Sequence, residues 1–129
     1  MNKLVGTNIS KTYQSGDHQT EVLSNVSISI SEGDTLGVIG SSGSGKTTLL
    51  QILAGLEIPD QGDIFYNDIN LSSNNARNFN SMRRNLFGYA YQFHYLLDDL
   101  TVFEKCNLVF KIANNKKVDE NLKRIMQIL

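Results

Sequence analysis

The chain of 129 residues is long enough for one domain with its own core and too short for two. Its net charge of −1 is unevenly spread: residues 1–104 carry six Lys and Arg against eleven Asp and Glu, while residues 105–129 carry six against two. Neither part has the dense basic face that would announce nucleic acid, so no nucleic-acid partner is expected, and the lone Cys106 excludes an internal disulfide framework and fits a reducing compartment.

In chain order, the opening "MNKLVGTNISKTYQ" lacks the apolar core of a secretory signal, and no stretch approaches the ~20 apolar residues of a spanning helix. Membrane association is therefore expected only through a partner. Tyr13 stands in "KTYQSG", exposed by composition and in a stretch without strand alternation. "EVLSNVSISI" then alternates at Val22, Val26, Ile28 and Ile30, the period-two pattern of a half-buried strand, with Asn25 out of step. "SEGD" turns the chain, and "TLGVIG", Thr35 to Gly40, predicts a short strand buried on both faces.

"GSSGSGKTT" follows. After it Leu49, Ile52, Leu53 and Leu56 recur at helical spacing, with Gly55 and Pro59 as stop signals. The pattern G-x-x-x-x-G-K-[ST] is met by Gly40, Gly45, Lys46 and Thr47. Its glycines let the backbone curl so that successive N–H groups converge on one anion, and the following helix adds its positive dipole end. A flexible Gly/Ser linker would not sit between a buried strand and an amphipathic helix with a lysine in its first turn. The expected phosphate cradle is Gly40, Ser41, Ser42, Gly43, Ser44, Gly45, Lys46, Thr47 and Thr48. Lys46 serves it as a point charge on the β- and γ-phosphates of a bound triphosphate, and the Thr47 hydroxyl serves it as a ligand to Mg²⁺.

Farther along, "GDIFYND" (62–68) predicts a strand closed by Asn/Asp turn chemistry, residues 74–85 a weak polar helix, and "LFGYAYQ" (86–92) an aromatic-rich strand ending at Gln92. A helix begins near Thr101, whose hydroxyl can cap it. Val118, Leu122, Ile125, Met126 and Leu129 share one face of a last helix with nothing after it to pack against, which reads as a chain cut off within a larger domain. Tyr13 taken alone is a surface tyrosine or a platform for a base; Gln92 taken alone is a surface residue or, at the end of a sheet strand, a ligand to Mg²⁺.

The upstream aromatic, the loop "GSSGSGKTT" and the strand ending "YQ" together resemble the start of an ABC-transporter ATPase subunit. "YQSGDHQTEVL" and "YQFHYLLDDLTVFEKC" are most similar to the branch that serves lipoprotein release. The resemblance implies an α/β P-loop NTPase fold of the ABC type, here its N-terminal part: an antiparallel β subdomain plus the start of the parallel-sheet core. Residues 1–129 would form a partial nucleotide-binding domain, with 93–129 opening the helical subdomain. It implies that Tyr13 stacks adenine, that Gly40 to Thr48 hold the phosphates, and that Gln92 senses Mg²⁺ and takes part in catalysis with Lys46. It further implies that the segment after Gln92 meets the transmembrane subunits, that two copies pair, and that the protein sits peripherally on the cytoplasmic face of the inner membrane.

The sequence departs from the family pattern at Asp98, where proline is usual, and at Lys105 and Cys106, which replace Asn-Val. The family continues into a Ser-Gly-Gly signature, an apolar strand ending Asp-Glu and a switch histidine. His18, His94 and the pair Asp98 and Asp99 do not stand in for these. The leading expectation is an ATPase subunit that couples ATP binding and hydrolysis to lipoprotein release. The alternatives are a truncated remnant that at most binds nucleotide, and a sister subunit of a cell-division or macrolide-type system. A small-molecule kinase would share the loop but gives no reason for Tyr13 and Gln92.

Overall fold

The structure is a computed structural model that describes residues 1–72, 86–92, 97–112 and 124. The chain divides into two compact units, Met1–Arg83 and Arg84–Leu129. The first unit holds an antiparallel sheet of four strands in the order β2-β1-β3-β4: β1 (Lys3–Ser15), β2 (His18–Ser31), β3 (Gln61–Tyr66) and β4 (Ile69–Asn70). Helix α1 (Lys46–Leu53) packs against β2. The core consists of Ile9, Leu23, Leu49, Ile52, Leu53, Ala54, Ile64 and Leu71, with Ile9 and Ile52 fully enclosed.

The expected strand over Val26, Ile28 and Ile30 is the second half of β2, and its serines at 27 and 29 face solvent as the alternation requires. The expected 62–68 strand is β3, followed by a turn in which Asn67 adopts φ +52°. Helix α1 stops as its glycine predicts. Gly55, at φ +68°, donates its N–H to the Ile52 carbonyl at 3.0 Å, and Leu56 donates to the Gln51 carbonyl at 2.7 Å. This pair of bonds is a Schellman ending, which satisfies carbonyls the helix would otherwise leave open.

Three expectations require correction. Tyr13 does lie in a strand, at the outer end of β1. Period two fails there because the ladder is irregular: β1 and β2 shift register between Gly6 and Ile9, between Ile9 and Lys11, and between Lys11 and Thr12. Asn8 sits at φ +51°, so Gly6 and Ile9 are both buried although three residues apart. Second, Thr35 to Gly40 is not a strand among the described residues; Leu36 is half exposed and Ile39 94% exposed. A parallel strand acquires its hydrogen bonds and its two covered faces from neighbours, and no parallel strand is found among the described residues to supply them. Third, residues 87–92 form no sheet ladder, and Gln92 is an exposed residue at a bend, not a strand end. There Tyr89 and Tyr91 pack ring to ring at 4.5 Å and 56°. The expected helix over 74–85, the last helix over 118–129 and the segment 93–96 lie outside the described residues, Arg124 excepted.

In the second unit, α2 (Val102–Ile112) begins where expected. Thr101 Oγ1 accepts the Glu104 N–H at 3.3 Å, while Glu104 Oε2 accepts the Thr101 N–H at 2.9 Å and its hydroxyl at 2.7 Å. This reciprocal capping box satisfies donors at both ends of the first turn. The hydroxyl bond, and then the N–H bond, hold the Glu104 carboxyl below its ordinary pKa. Thr101→Ala is expected to cost about 1 kcal/mol in chemical denaturation and to raise the Glu104 pKa in an NMR titration.

Candidate functional site

The glycine-rich segment rises from the end of the first sheet hairpin and closes on the amino end of α1. Gly43 at φ +78° and Gly45 at φ +85° turn the backbone back on itself, and the Ser44 N–H meets the Ser41 carbonyl at 3.3 Å. Gly45 is required on two grounds. Its backbone is left-handed, and a Cβ there would lie 2.6 Å from the Val22 carbonyl oxygen and 3.0 Å from Leu23 Cδ2. A Cβ on Gly40 would meet Ser44 Oγ at 2.7 Å, so the loop closes more tightly than side chains at these positions would permit.

Gly45 is the N-cap of α1 and brings no side chain to cap it, and the first turn contains no acidic residue. The first intrahelical bond is Leu49 N–H to the Gly45 carbonyl at 2.8 Å. The amides that precede it, Lys46 to Thr48, are donors with no acceptor inside the helix. Beside them lies a cavity of about 280 Å³ lined by Val22, Gly43, Ser44, Gly45, Lys46, Thr47 and Thr48. The Lys46 ammonium bridges the loop, donating to the Gly40 carbonyl at 3.0 Å, the Ser41 carbonyl at 2.6 Å and Ser44 Oγ at 3.4 Å. Uncapped amides, a positive helix end and a cation held by weak neutral acceptors make a concave site for a polyanion. The residues therefore fit a polyphosphate. Among the described residues no group of three or more His, Cys, Asp or Glu could hold a metal ion.

The sheet connects Tyr13 to this cavity. Lys11 pairs with Leu23 and Thr12 with Glu21, so Val22 is the extra residue of β2 at the bulge. Its carbonyl faces Gly45 and its side chain lines the cavity. One step beyond, Tyr13 pairs with Thr20 and is 40% exposed. Sequence reasoning placed Val22 in the alternation of a strand and missed its place beside the loop. The signal was two adjacent apolar residues, Val22 and Leu23, where alternation allows one.

It missed Lys11 as well. The Lys11 ammonium lies 2.8 Å from Glu57 Oε1, 3.2 Å from Asp60 Oδ1 and 2.8 Å from the Ile58 carbonyl. It also stands 5.5 Å from the centre of the Tyr13 ring. The hydrogen bond to Glu57 leads in raising the Lys11 pKa, and the Thr12 N–H leads in lowering that of Asp60. Gln92 belongs to the second unit and is exposed there.

The profile of the ABC transporter family matches residues 23–128. The lipoprotein-releasing system ATP-binding protein LolD of Buchnera aphidicola subsp. Acyrthosiphon pisum (strain APS) is 41% identical over 112 residues, covering 87% of this chain and 49% of that protein. The fold matches the ATP-binding cassette MJ0796, in a dimeric post-hydrolysis state bound to ADP and Pi, with a TM-score of 0.86 and 28% identity over 96% of this chain and 54% of the other. A second dimeric structure of MJ0796, described as a bacterial ABC transporter cassette, matches with a TM-score of 0.80 and 30% identity over 85% and 47%. The chain spans about half the length of the relatives it matches. With the phosphate loop, the antiparallel sheet beside it and these likenesses together, the chain belongs to the ABC transporter family of ATP-binding cassettes and has the fold of their N-terminal portion.

Proposed function

We propose that the chain is the nucleotide-binding part of an ATPase subunit that couples ATP binding and hydrolysis to release of lipoproteins from the inner membrane. The observation that carries it is the loop itself: the residues of the uncapped first turn of α1, Lys46 among them, line one cavity, and the Lys46 ammonium is held across the loop by the Gly40 and Ser41 carbonyls. Likeness to LolD supports the lipoprotein-releasing role. In this reading the amides of Gly40 to Thr48 bind the phosphates of ATP, with Ser41, Ser42 and Ser44 shaping the curl. Lys46 exchanges its loop carbonyls for phosphate oxygens, which are stronger acceptors. Mg²⁺, when bound, neutralises charge on the triphosphate, and the hydroxyl of Thr47 and the amide of Gln92 are the groups offered to it.

Tyr13 stacks the adenine, and Gln92 relays the state of the site to the segment that follows it, which meets the transmembrane subunits. Two copies pair around two nucleotides, in keeping with the dimeric cassettes this chain resembles. Among the described residues no helix is long and apolar enough to cross a membrane. In this reading the protein sits on the cytoplasmic face of the inner membrane, held there by those subunits. Tyr13→Ala is expected to weaken ATP about tenfold, the worth of one base stacked on an aromatic ring. A titration with a fluorescent ATP analogue checks this; a loss as large as that from removing Lys46 would contradict the separate roles. Retention of the chain on vesicles carrying lipoprotein-releasing membrane subunits, and not on vesicles without them, tests the partner assignment.

A further inference from the structure

We infer that Lys11 is a positioning residue for the adenine platform, locking Tyr13 to the turn after α1 so that the base site and the phosphate site are held as one unit. This rests on the reading of Tyr13 as the adenine platform. Lys11 and Tyr13 lie two apart on β1, and the contact of the ammonium with the ring puts both side chains on the same side of the strand. The lysine side chain is only 11% exposed, although it ends in a charge, because three acceptors converge on its ammonium: the Glu57 and Asp60 carboxylates and the Ile58 carbonyl. The same ammonium stands 5.5 Å from the Tyr13 ring centre, within range of attraction to the ring face.

The turn that supplies those acceptors continues directly from the Schellman ending of α1. One short helix therefore presents the phosphate loop at its amino end, while the turn after its carboxyl end grips Lys11. The turn is also docked independently of the lysine. Asp60 donates its N–H to the Ser10 carbonyl at 2.9 Å, and Asp60 Oδ2 accepts the Thr12 N–H at 2.7 Å. Removing the ammonium leaves those bonds in place and frees the Tyr13 side chain in particular.

The test compares Mg·ATP with inorganic tripolyphosphate, which engages the loop but carries no base. Lys11→Met is expected to weaken ATP about three- to fivefold and to leave tripolyphosphate within about twofold, the loss being confined to the ring contact. Lys11→Arg, which keeps charge and reach, is expected to restore ATP affinity, and Lys11→Met added to Tyr13→Ala is expected to cost nothing further. Equal weakening of both ligands, or of neither, overturns the inference. If Lys11→Met does not fold, Glu57→Gln removes the shortest ion pair, leaves the lysine in place, and is judged by the same comparison. Failure of the platform itself has a different signature: Tyr13→Ala would then weaken ATP no more than tripolyphosphate. If Tyr13→Ala separates the two ligands and Lys11→Met does not, the platform stands and the positioning role falls.

Discussion

Replacing Lys46 by alanine is expected to raise the dissociation constant for Mg·ATP by about 100-fold, because each hydrogen bond to a charged group contributes about 1.5–3 kcal/mol and this one side chain makes more than one. The ammonium now bridges Gly40 and Ser41 through their carbonyls, so the substitution removes both the cation offered to the phosphates and the brace across the loop. It does so without touching the core, since Lys46 is not among the buried residues packed by α1. Thermal unfolding of Lys46→Ala should therefore stay close to that of the parent while the titration flattens. A variant that binds ATP with parental affinity would show that the loop amides suffice alone.

Gly45→Ala is expected to act on the fold and the site together. The residue occupies φ +85°, where a side chain costs about 1–2 kcal/mol. The new Cβ would press on the Val22 carbonyl at 2.6 Å and on Leu23, where forced overpacking adds about 1–3 kcal/mol. The combined loss, about 2–5 kcal/mol, is a large part of the stability of a small domain. Relief requires the loop to move off β2, which opens the cavity that Val22 and Gly45 share. Chemical denaturation and ATP titration of Gly45→Ala should thus both deteriorate. Gly43→Ala provides the contrast: φ there is +78°, yet nothing lies within 4 Å of its Cβ, so strain is incurred without a clash.

The turns of the glycine-rich loop and α1 were legible in the sequence because each of their constraints is local. A glycine is needed where φ is positive, an apolar face repeats at Leu49, Ile52 and Leu53, and Gly55 ends the helix, its own N–H donating to Ile52 while that of Leu56 donates to Gln51. The Thr101–Glu104 capping box is local in the same way. The first strand was not legible. Its three register shifts against β2 break the period on which strand recognition depends, and its two buried positions, Gly6 and Ile9, fall out of phase.

The roles of Lys11 and Val22 were missed because they depend on residues distant in sequence, Glu57 and Asp60 for one and Gly45 for the other. The opposite error occurred at Thr35 to Gly40 and at 86–92. Both have strand composition, but strand character in a parallel sheet is conferred by neighbours, and composition alone does not supply them. Gln92 was expected to owe its place to a strand end, yet the described backbone there bends.

Main-chain amides at the amino end of α1 wrapping a polyphosphate are the foundation of the account, and calorimetric titration of the folded chain with Mg·ATP tests them most directly. The account predicts saturable heat at one site per chain, displaced by excess tripolyphosphate. No heat from a chain whose circular dichroism reports an intact sheet and helix would contradict it.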